Sequence, residues 1–184
     1  MNKRGFLFLL FFSFLFSCSF QNEKNLAISS NNENISIAAY FSPRGGATFA
    51  IIKEIETAKT SIDLAVFSFT SKKLARALIK AHDSGIKVRV IIDRETAKSR
   101  RCIAPLLRDA GIPVRFKRGS RGGLMHNKFA VIDSNMLITG SFNWTVSAEK
   151  RNDENIVIIK GDKPLVKKFT ERFKYLWRLA RLEE

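Results

Sequence analysis

Residues Met125 to Asn143, MHNKFAVIDSNMLITGSFN, contain the most informative pattern in the sequence. The first half of this stretch is rich in β-branched and aromatic residues, which predicts a strand from Met125 to Ile132. Turn-forming residues follow at 133–135, and the apolar segment 136–139 predicts a returning strand. The stretch is therefore expected to form a β-hairpin that carries its two polar ends to the same place.

Polar side chains with complementary chemistry lie at these two ends. Successive side chains of a strand alternate between faces, so His126 and Lys128 are predicted to point to the same side. The ammonium of Lys128 can hold the oxygens of a phosphodiester, and Ser141 and Asn143 can add hydrogen-bond donors. Histidine exists in neutral and protonated forms around neutral pH, so His126 can serve as nucleophile and as acid.

The spacing of these residues forms a gapped motif. Four residues separate Lys128 from Asp133, and six more separate Asp133 from the GSFN segment that begins at Gly140. The pattern resembles the HxKxxxxD motif and the downstream GSxN element of the phospholipase D superfamily. The resemblance covers roughly residues 35–177. It implies a metal-independent phosphodiesterase that works through a phosphohistidine intermediate.

The chain carries this motif once. In the phospholipase D superfamily two motifs form one active site, in which a second histidine protonates the leaving oxygen and later activates water. The other histidine of the chain, His82, falls in a predicted helix and lacks the motif's lysine two residues later. The resemblance therefore implies a homodimer in which the second chain supplies the other His126.

Two carboxylates near the motif are predicted to have supporting roles. In an unbent strand the side chains of Asp133 and His126 would point to opposite faces. This favours a structural role for Asp133 over direct proton transfer. Glu154 lies in a segment where single-motif members of the family place an acidic residue near the histidine, and the resemblance implies that it orients His126. The alternative for Glu154 is a surface carboxylate at the start of a strand.

A basic loop precedes the motif and bears on the substrate. Lys117, Arg118 and Arg121 are interleaved with glycines, so they could form a flexible cationic loop that binds a phosphate backbone. The alternative is a solvated basic loop without a binding role, which has the same composition. The net charge of +15 predicts a polyanionic partner, either nucleic acid or anionic lipid. We favour a nuclease acting on DNA or RNA. The alternatives are a phospholipase D that cleaves phospholipid headgroups and a non-catalytic polyanion-binding module.

Histidine and cysteine are too few for a zinc cluster to be expected. The chain has two of each, with no HExxH or CxxC spacing, so no metal and no other cofactor is predicted. Cys102 is expected to be a packing residue without a disulfide partner.

The N-terminal segment has the pattern of a secretory signal. Lys3 and Arg4 precede an apolar run, which predicts a signal peptide at residues 1–17. Cys18 follows where cleavage is expected, in a sequence resembling a lipobox, so a lipoprotein held on a membrane surface is favoured over an ordinary secreted protein. Residues 18–34 predict a polar tether and residues 35–184 the catalytic domain. The expected location is beyond a bacterial inner membrane: membrane-anchored, periplasmic or secreted.

Strands and helices alternate along the rest of the chain. Nearly continuous apolar sequence at 62–69 indicates a strand covered on both faces. The other predicted strands are 35–41, 87–92, 114–116 and 155–159, and the predicted helices are 46–59, 71–84, 105–111 and 163–182. Alternation of this kind predicts an α/β fold. The family resemblance makes this more specific: an α/β/α sandwich with a central mixed sheet.

Overall fold

The computed structural model describes residues 35–182, which contain a seven-stranded sheet. The predicted signal segment, the tether and Cys18 lie outside the described residues. The strands are β1 (Ser36–Ser42), β2 (Ser61–Val66), β3 (Lys87–Asp93), β4 (Val114–Lys117), β5 (Lys128–Ile132), β6 (Met136–Gly140) and β7 (Glu154–Lys160). The helices are α1 (Ala47–Glu56), α2 (Lys72–Asp83), α3 (Arg94–Ala97), α4 (Ala104–Asp109), α5 (Val146–Lys150) and α6 (Lys163–Leu179).

The sheet is mixed, as predicted. Its strand order is β1-β7-β6-β5-β2-β3-β4. On one side of β2 the strands β3 and β4 follow in parallel. On the other side β5, β6, β7 and β1 follow with antiparallel pairing throughout. Parallel neighbours need crossover helices, whereas the antiparallel strands β5 and β6 need only the short turn at 133–135.

Helices cover both faces of the sheet, which confirms the α/β/α sandwich. Within β2, Ile62, Leu64 and Val66 belong to a core cluster shared with α1, α2 and α4. Ala65 points to the other face, into a cluster with Phe129 and the apolar side of α6. This alternation follows from the two-residue period of a strand. Among the described residues, no helix is both long and apolar enough to cross a membrane.

The aromatic side of α6 packs against the sheet. Phe173 is fully buried and stacks on Trp177 with ring centroids 5.7 Å apart. Beneath them Arg89 forms a bidentate ion pair with Asp63 on the neighbouring strand, with both N–O distances 2.7 Å. The guanidinium carbon of Arg89 lies 5.0 Å from the Phe173 ring centroid. The pair is therefore both hydrogen-bonded and covered by aromatic rings, which offsets the cost of removing it from water.

Several predicted boundaries differ from the structure, and two of them have a tertiary reason. β5 begins at Lys128 rather than at Met125, because the backbone N–H of Met125 donates to the Asp93 side chain instead of to a strand. Helix α6 ends at Leu179 because Arg181 pairs with Phe116 on the edge strand β4 through two backbone hydrogen bonds of 2.7 and 2.9 Å. The short helices α3 and α5 were not predicted.

Asp133 closes the hairpin turn at the far end of β5 from the histidine. Asp133 and Ser134 adopt left-handed backbone conformations with φ of 53° and 52°. The Asp133 carboxylate accepts hydrogen bonds from the backbone N–H groups of Lys59, Thr60 and Ser61 at 2.8, 2.7 and 3.0 Å. Desolvation opposes ionisation, but these N–H donors outweigh it and hold the pKa of Asp133 below its usual value. The carboxylate thus ties the hairpin turn to the start of β2.

We expect Asp133→Asn to lower the free energy of unfolding by about 1–2 kcal/mol, because asparagine keeps the turn conformation but loses the charge that accepts these bonds. Urea unfolding at several pH values measures this. The deficit is full above the ordinary aspartate pKa of about 3.9 and shrinks as pH falls through the lowered folded-state pKa. Asp109→Asn, at an exposed site on α4, is the matched control. An equal effect of both variants would contradict a specific role for Asp133.

Candidate active site

Strand directions bring the predicted site residues to one edge of the sheet. Because β5 is antiparallel to β2 and β6, its start lies beside the ends of both strands. The start of β7 lies at the same edge, since β7 is antiparallel to β6. We call this the motif edge, and it carries His126, Lys128, Ser141, Asn143 and Glu154.

The side chains of His126 and Lys128 meet at the motif edge. The Lys128 Nζ lies 3.0 Å from Nδ1 and 3.2 Å from Nε2 of His126, and 3.0 Å from the His126 carbonyl oxygen. A neutral imidazole has one acceptor nitrogen and one N–H, so the ammonium can donate to only one of the two ring nitrogens. The imidazole is exposed and leans on Phe67, with ring centroids 4.4 Å apart. An accessible imidazole therefore lies directly beside a cation.

The charge environment of Lys128 is set by burial and by Glu154. Desolvation lowers the pKa of Lys128, and the nearby Glu154 carboxylate opposes that shift. The Lys128 Nζ also lies 5.1 Å from the Phe67 ring centroid. Glu154 accepts a hydrogen bond of 3.0 Å from the Asn152 side-chain amide. In the described part of the chain Glu154 makes no hydrogen bond to His126; its contribution here is electrostatic, through Lys128.

Ser141 and Asn143 are held with their donors free. The Ser141 Oγ accepts from the backbone N–H of Asn155 at 3.1 Å, so its hydroxyl hydrogen stays available. The Asn143 Oδ1 accepts from the backbone N–H of Ser68 at 3.3 Å, which leaves the side-chain NH₂ to donate elsewhere. A hydroxyl and an amide are thus available at the motif edge to bind phosphate oxygens.

Gly140 is required by the close approach of β6 to β7. Its φ of 154° lies in a region that residues with a Cβ rarely adopt. A Cβ at this position would also overlap the Asn155 carbonyl oxygen. That carbonyl accepts from the backbone N–H groups of Ser141 and Phe142 at 3.1 and 3.3 Å, which fixes the segment leading to Asn143.

The basic loop reaches the motif edge through β4, which is parallel to β3 and ends on the same side. Lys117 is the last residue of β4, and its Nζ contacts the Arg118 carbonyl. Arg118 pairs with Glu95 at 3.2 Å, so part of its charge is already neutralised. Arg121 is exposed, with a left-handed φ of 52°. The loop therefore borders the site with at least one cation exposed to solvent and unpaired within 35–182.

Two residues discussed above, Asp133 of the motif and the second histidine, His82, lie away from the motif edge. Asp133 follows the last residue of β5, five positions after Lys128, which corresponds to about 16 Å along a strand. His82 lies near the end of α2, eleven residues after the Ser71 cap, or about 16 Å along a helix. Asp133 is remote from His126 because it lies at the other end of β5, and not because its side chain points to the other face of the strand.

Sequence reasoning missed two residues that border His126. Phe67 falls inside the predicted strand 62–69 but follows the end of β2, where its ring contacts the imidazole. Asp93 ends β3 and binds the backbone beside His126. Its signal in the sequence was a single charge directly after the apolar run Val90-Ile91-Ile92.

Metal-binding side chains do not cluster in the described part of the chain. Residues 35–182 contain no group of three or more His, Cys, Asp or Glu side chains placed to hold an ion. Cys102 is half-buried without a disulfide partner among these residues, and desolvation raises the pKa of its thiol.

Comparison with known proteins assigns the family. Residues 51–177 match the family model described as "Cardiolipin synthase, PLD-like domain". The chain is 45% identical over 122 residues to mitochondrial cardiolipin hydrolase of Xenopus tropicalis, covering 66% of this chain and 56% of that protein. It is 38% identical over 127 residues to a phospholipase D of Rickettsia prowazekii, covering 69% and 61%. The chain thus spans little more than half the length of these relatives.

Solved structures give the same fold. Nuc from Salmonella typhimurium, described as a phospholipase D family member, superimposes with a TM-score of 0.75 at 34% identity, covering 80% of this chain and 97% of that chain. NucT from Helicobacter pylori also superimposes with a TM-score of 0.75, at 24% identity, covering 80% and 98%.

The relatives correct the predicted location. The prediction of export across a bacterial inner membrane is wrong on this comparison, because relatives from Xenopus tropicalis, Homo sapiens and Mus musculus are named mitochondrial cardiolipin hydrolases. Basic residues before an apolar run favour a membrane but do not encode which membrane. The motif, the mixed sheet and these matches agree on the family. The chain belongs to the phospholipase D superfamily, as a member with a single HxKxxxxD motif.

Proposed function

We propose that the protein is a metal-independent phosphodiesterase in which His126 attacks phosphorus. The observation that carries the proposal is an exposed imidazole with the Lys128 ammonium 3.0 and 3.2 Å from its two ring nitrogens. A phosphodiester anion repels an incoming nucleophile, so a fixed cation beside the nucleophile lowers the barrier to attack. The free donors of Ser141 and Asn143 complete the binding of the nonbridging oxygens.

The reaction has two balanced steps. A ring nitrogen of His126 forms a bond to phosphorus while the bond to the leaving oxygen breaks, and the His126 of a second chain donates a proton to that oxygen. Water then attacks phosphorus, giving its proton to the second chain's imidazole, and the phosphorus–nitrogen bond breaks. The products are an alcohol and a phosphate monoester. Each imidazole returns to its starting protonation state.

A homodimer supplies the second histidine in this scheme. The exposure of His126 and the single motif both support it, and so does an apolar groove at the N-terminal ends of α1 and α5. Phe49 and Val146, which are 73% and 52% exposed, line this groove of about 510 Å³. Large apolar groups exposed together favour a protein–protein contact. A second copy of the chain placed against this groove would cover them.

Nucleic acid is the substrate that the surface charge favours. Beyond the basic loop, Lys72, Arg76, Arg100 and Arg101 line a groove of about 800 Å³ that has no acidic residue in its lining. None of these four cations forms an ion pair within residues 35–182. The groove also includes Thr70, two residues after the Ser68 that binds Asn143. Successive backbone phosphates suit unpaired cations spread along such a surface.

Phospholipid is the second candidate, favoured by different observations. The matched relatives are named cardiolipin hydrolase and phospholipase D. In addition, Leu124, directly after the basic loop, is 50% exposed and could enter a lipid surface. The chemistry at phosphorus is the same for both substrates, because only the leaving alcohol differs.

The central prediction is that the purified protein cleaves phosphodiesters in the presence of EDTA. We expect cleavage of single-stranded DNA or RNA, and loss of turnover by at least about 10³-fold in His126→Ala because the covalent step disappears. Oligonucleotide binding should change little. The measurement compares DNA, RNA and cardiolipin-containing vesicles, with acid-labile phosphate on the protein as the signature of the intermediate.

Each result of this comparison has a distinct meaning. Cleavage confined to vesicles would replace the nuclease by the phospholipase. Activity that EDTA abolishes and added metal restores would overturn the mechanism. Unchanged turnover in His126→Ala would rule out the nucleophile, and binding without turnover in the wild type would indicate a non-catalytic module. His82→Ala, remote from the motif edge, is the matched control and should retain activity.

We expect Glu154→Gln to shift the alkaline limb of kcat/KM to lower pH. Lys128 binds phosphate only as an ammonium, and the Glu154 carboxylate raises the pKa that burial lowers. Removing that carboxylate therefore makes the ammonium deprotonate at lower pH. A pH profile with a small soluble diester measures the shift, and Asp153→Asn, an exposed neighbouring carboxylate, serves as control. A limb that stays in place or moves upward would show that Glu154 does not support the charge of Lys128.

Mixing wild-type and His126→Ala chains tests the shared site. After full subunit exchange of equal amounts, half of the wild-type chains have an inactive partner, so activity should fall to about half that of the wild type alone. Mixing with His82→Ala chains should cause no fall. Activity that is unaffected by His126→Ala chains, with exchange verified by light scattering and labelled subunits, would mean that one chain suffices.

A further inference from the structure

A fully buried carboxylate lies next to the motif edge and is not used in the proposed mechanism. Asp93 is the last residue of β3 and has no exposed surface. Its Oδ1 accepts from the backbone N–H groups of Glu95 and Thr96 at 3.0 and 3.2 Å, which caps α3. Its Oδ2 accepts from the backbone N–H of Met125 at 2.8 Å. Three N–H donors are thus satisfied by one carboxylate, and the third belongs to the residue before His126.

The Met125 bond matters because His126 precedes the regular strand. The paired part of β5 begins at Lys128, opposite Val66. The backbone around His126 is attached on both sides: Met125 through Asp93, and Asn127 through its carbonyl, which accepts from the Phe67 N–H at 2.8 Å. The Met125 side chain is buried, whereas the His126 ring is exposed. These attachments hold an exposed imidazole whose own ring contacts are few.

Helix α3 also contacts Phe67, the residue that forms the second of these attachments through Asn127. The Thr96 hydroxyl contacts the Phe67 carbonyl, and Thr96 is one of the two residues whose N–H Asp93 caps. Phe67 in turn donates its N–H to Asn127 and places its ring against the imidazole. A single buried carboxylate therefore orders the segment before His126 directly and the residue packed against it through Thr96.

We propose that Asp93 is a positioning residue for His126. It acts by fixing the backbone at Met125, and it does not touch the substrate. The inference rests on the proposed nucleophilic role of His126. A nucleophile displaced by about 1 Å can lose about 100-fold in rate, so a rigid backbone anchor has a kinetic consequence apart from stability.

Asp93→Ser separates the two functions of the carboxylate. A serine oxygen can still cap α3, but it is too short to accept from Met125 as well. We expect kcat for a small soluble diester, and the single-turnover rate of phosphohistidine formation, to fall about 10- to 100-fold, with KM changing less than about 3-fold. Asp93→Asn keeps the shape but has one acceptor oxygen for the two sides, so it cannot both cap α3 and accept from Met125, and kcat should fall by a similar factor.

The matched control is a helix cap at the opposite edge of the sheet. Asp162 caps α6 by accepting from the Leu165 N–H at 2.9 Å, close to the β5–β6 turn, where the Gly161 N–H donates to the Asn135 carbonyl. Asp162→Ser removes the same charge from the same type of position. It should leave kcat unchanged and lower stability by less than Asp93→Ser, because Asp162 is only partly buried and its carboxylate accepts from one N–H group. If both variants lowered kcat equally, Asp93 would be a structural helix cap with no specific effect on His126.

Imidazole NMR gives a readout that does not depend on activity. The chain has two histidines, so His82 serves as an internal reference for His126. In folded Asp93→Ser or Asp93→Asn the His126 ring signals should shift or broaden while those of His82 stay in place. Unmoved His126 signals together with unchanged kcat would overturn the proposal. If the wild type formed no phosphohistidine, the proposed function would fail, yet the NMR result would still report on the anchor.

Discussion

The antiparallel pairing of β5 with both β2 and β6 is the constraint on which the rest of the structure depends. It places the start of β5 beside the ends of its two neighbours, so that His126 lies at the same edge of the sheet as Ser68 and Asn143, which are hydrogen-bonded to each other. The pairing needs a tight turn at the other end, and Asp133 provides it by binding the N–H groups at the start of β2. His126 and Asp133, the first and last residues of the HxKxxxxD motif, thus lie at opposite ends of β5.

The motif edge combines features that lower the free energy of unfolding. A partly desolvated ammonium lies beside an exposed imidazole, and an exposed Phe49 borders a groove near by. Local structure compensates: Glu154 supports the charge of Lys128, and backbone anchors from Asp93 and Phe67 fix the segment around His126. Reactive groups are held here by the surrounding backbone more than by their own packing, as is common where function competes with stability.

Sequence periodicity predicted most elements because each has a local cause. Ser71 caps α2 as expected, accepting from the Leu74 N–H at 3.4 Å, and the apolar stripe of α6 packs on the sheet. Helices α3 and α5 escaped prediction because they are short and depend on remote partners. Glu149 of α5, for example, accepts from the Thr48 N–H at the start of α1, 101 residues earlier. Such bonds leave no periodic trace in the sequence.

The amino-acid sequence alone indicated the family and the alternation of strands and helices, because these depend on motif spacing and residue periodicity. It also predicted that His126 and Lys128 converge, although His126 lies before the regular part of β5. Tertiary structure decided the rest. It placed Asp133 about 16 Å from Lys128 along β5, brought Glu154 close to Lys128, and set Asp93 against Met125. Each of these depends on which strands are neighbours, and strand order is a property of the whole sheet rather than of any local segment.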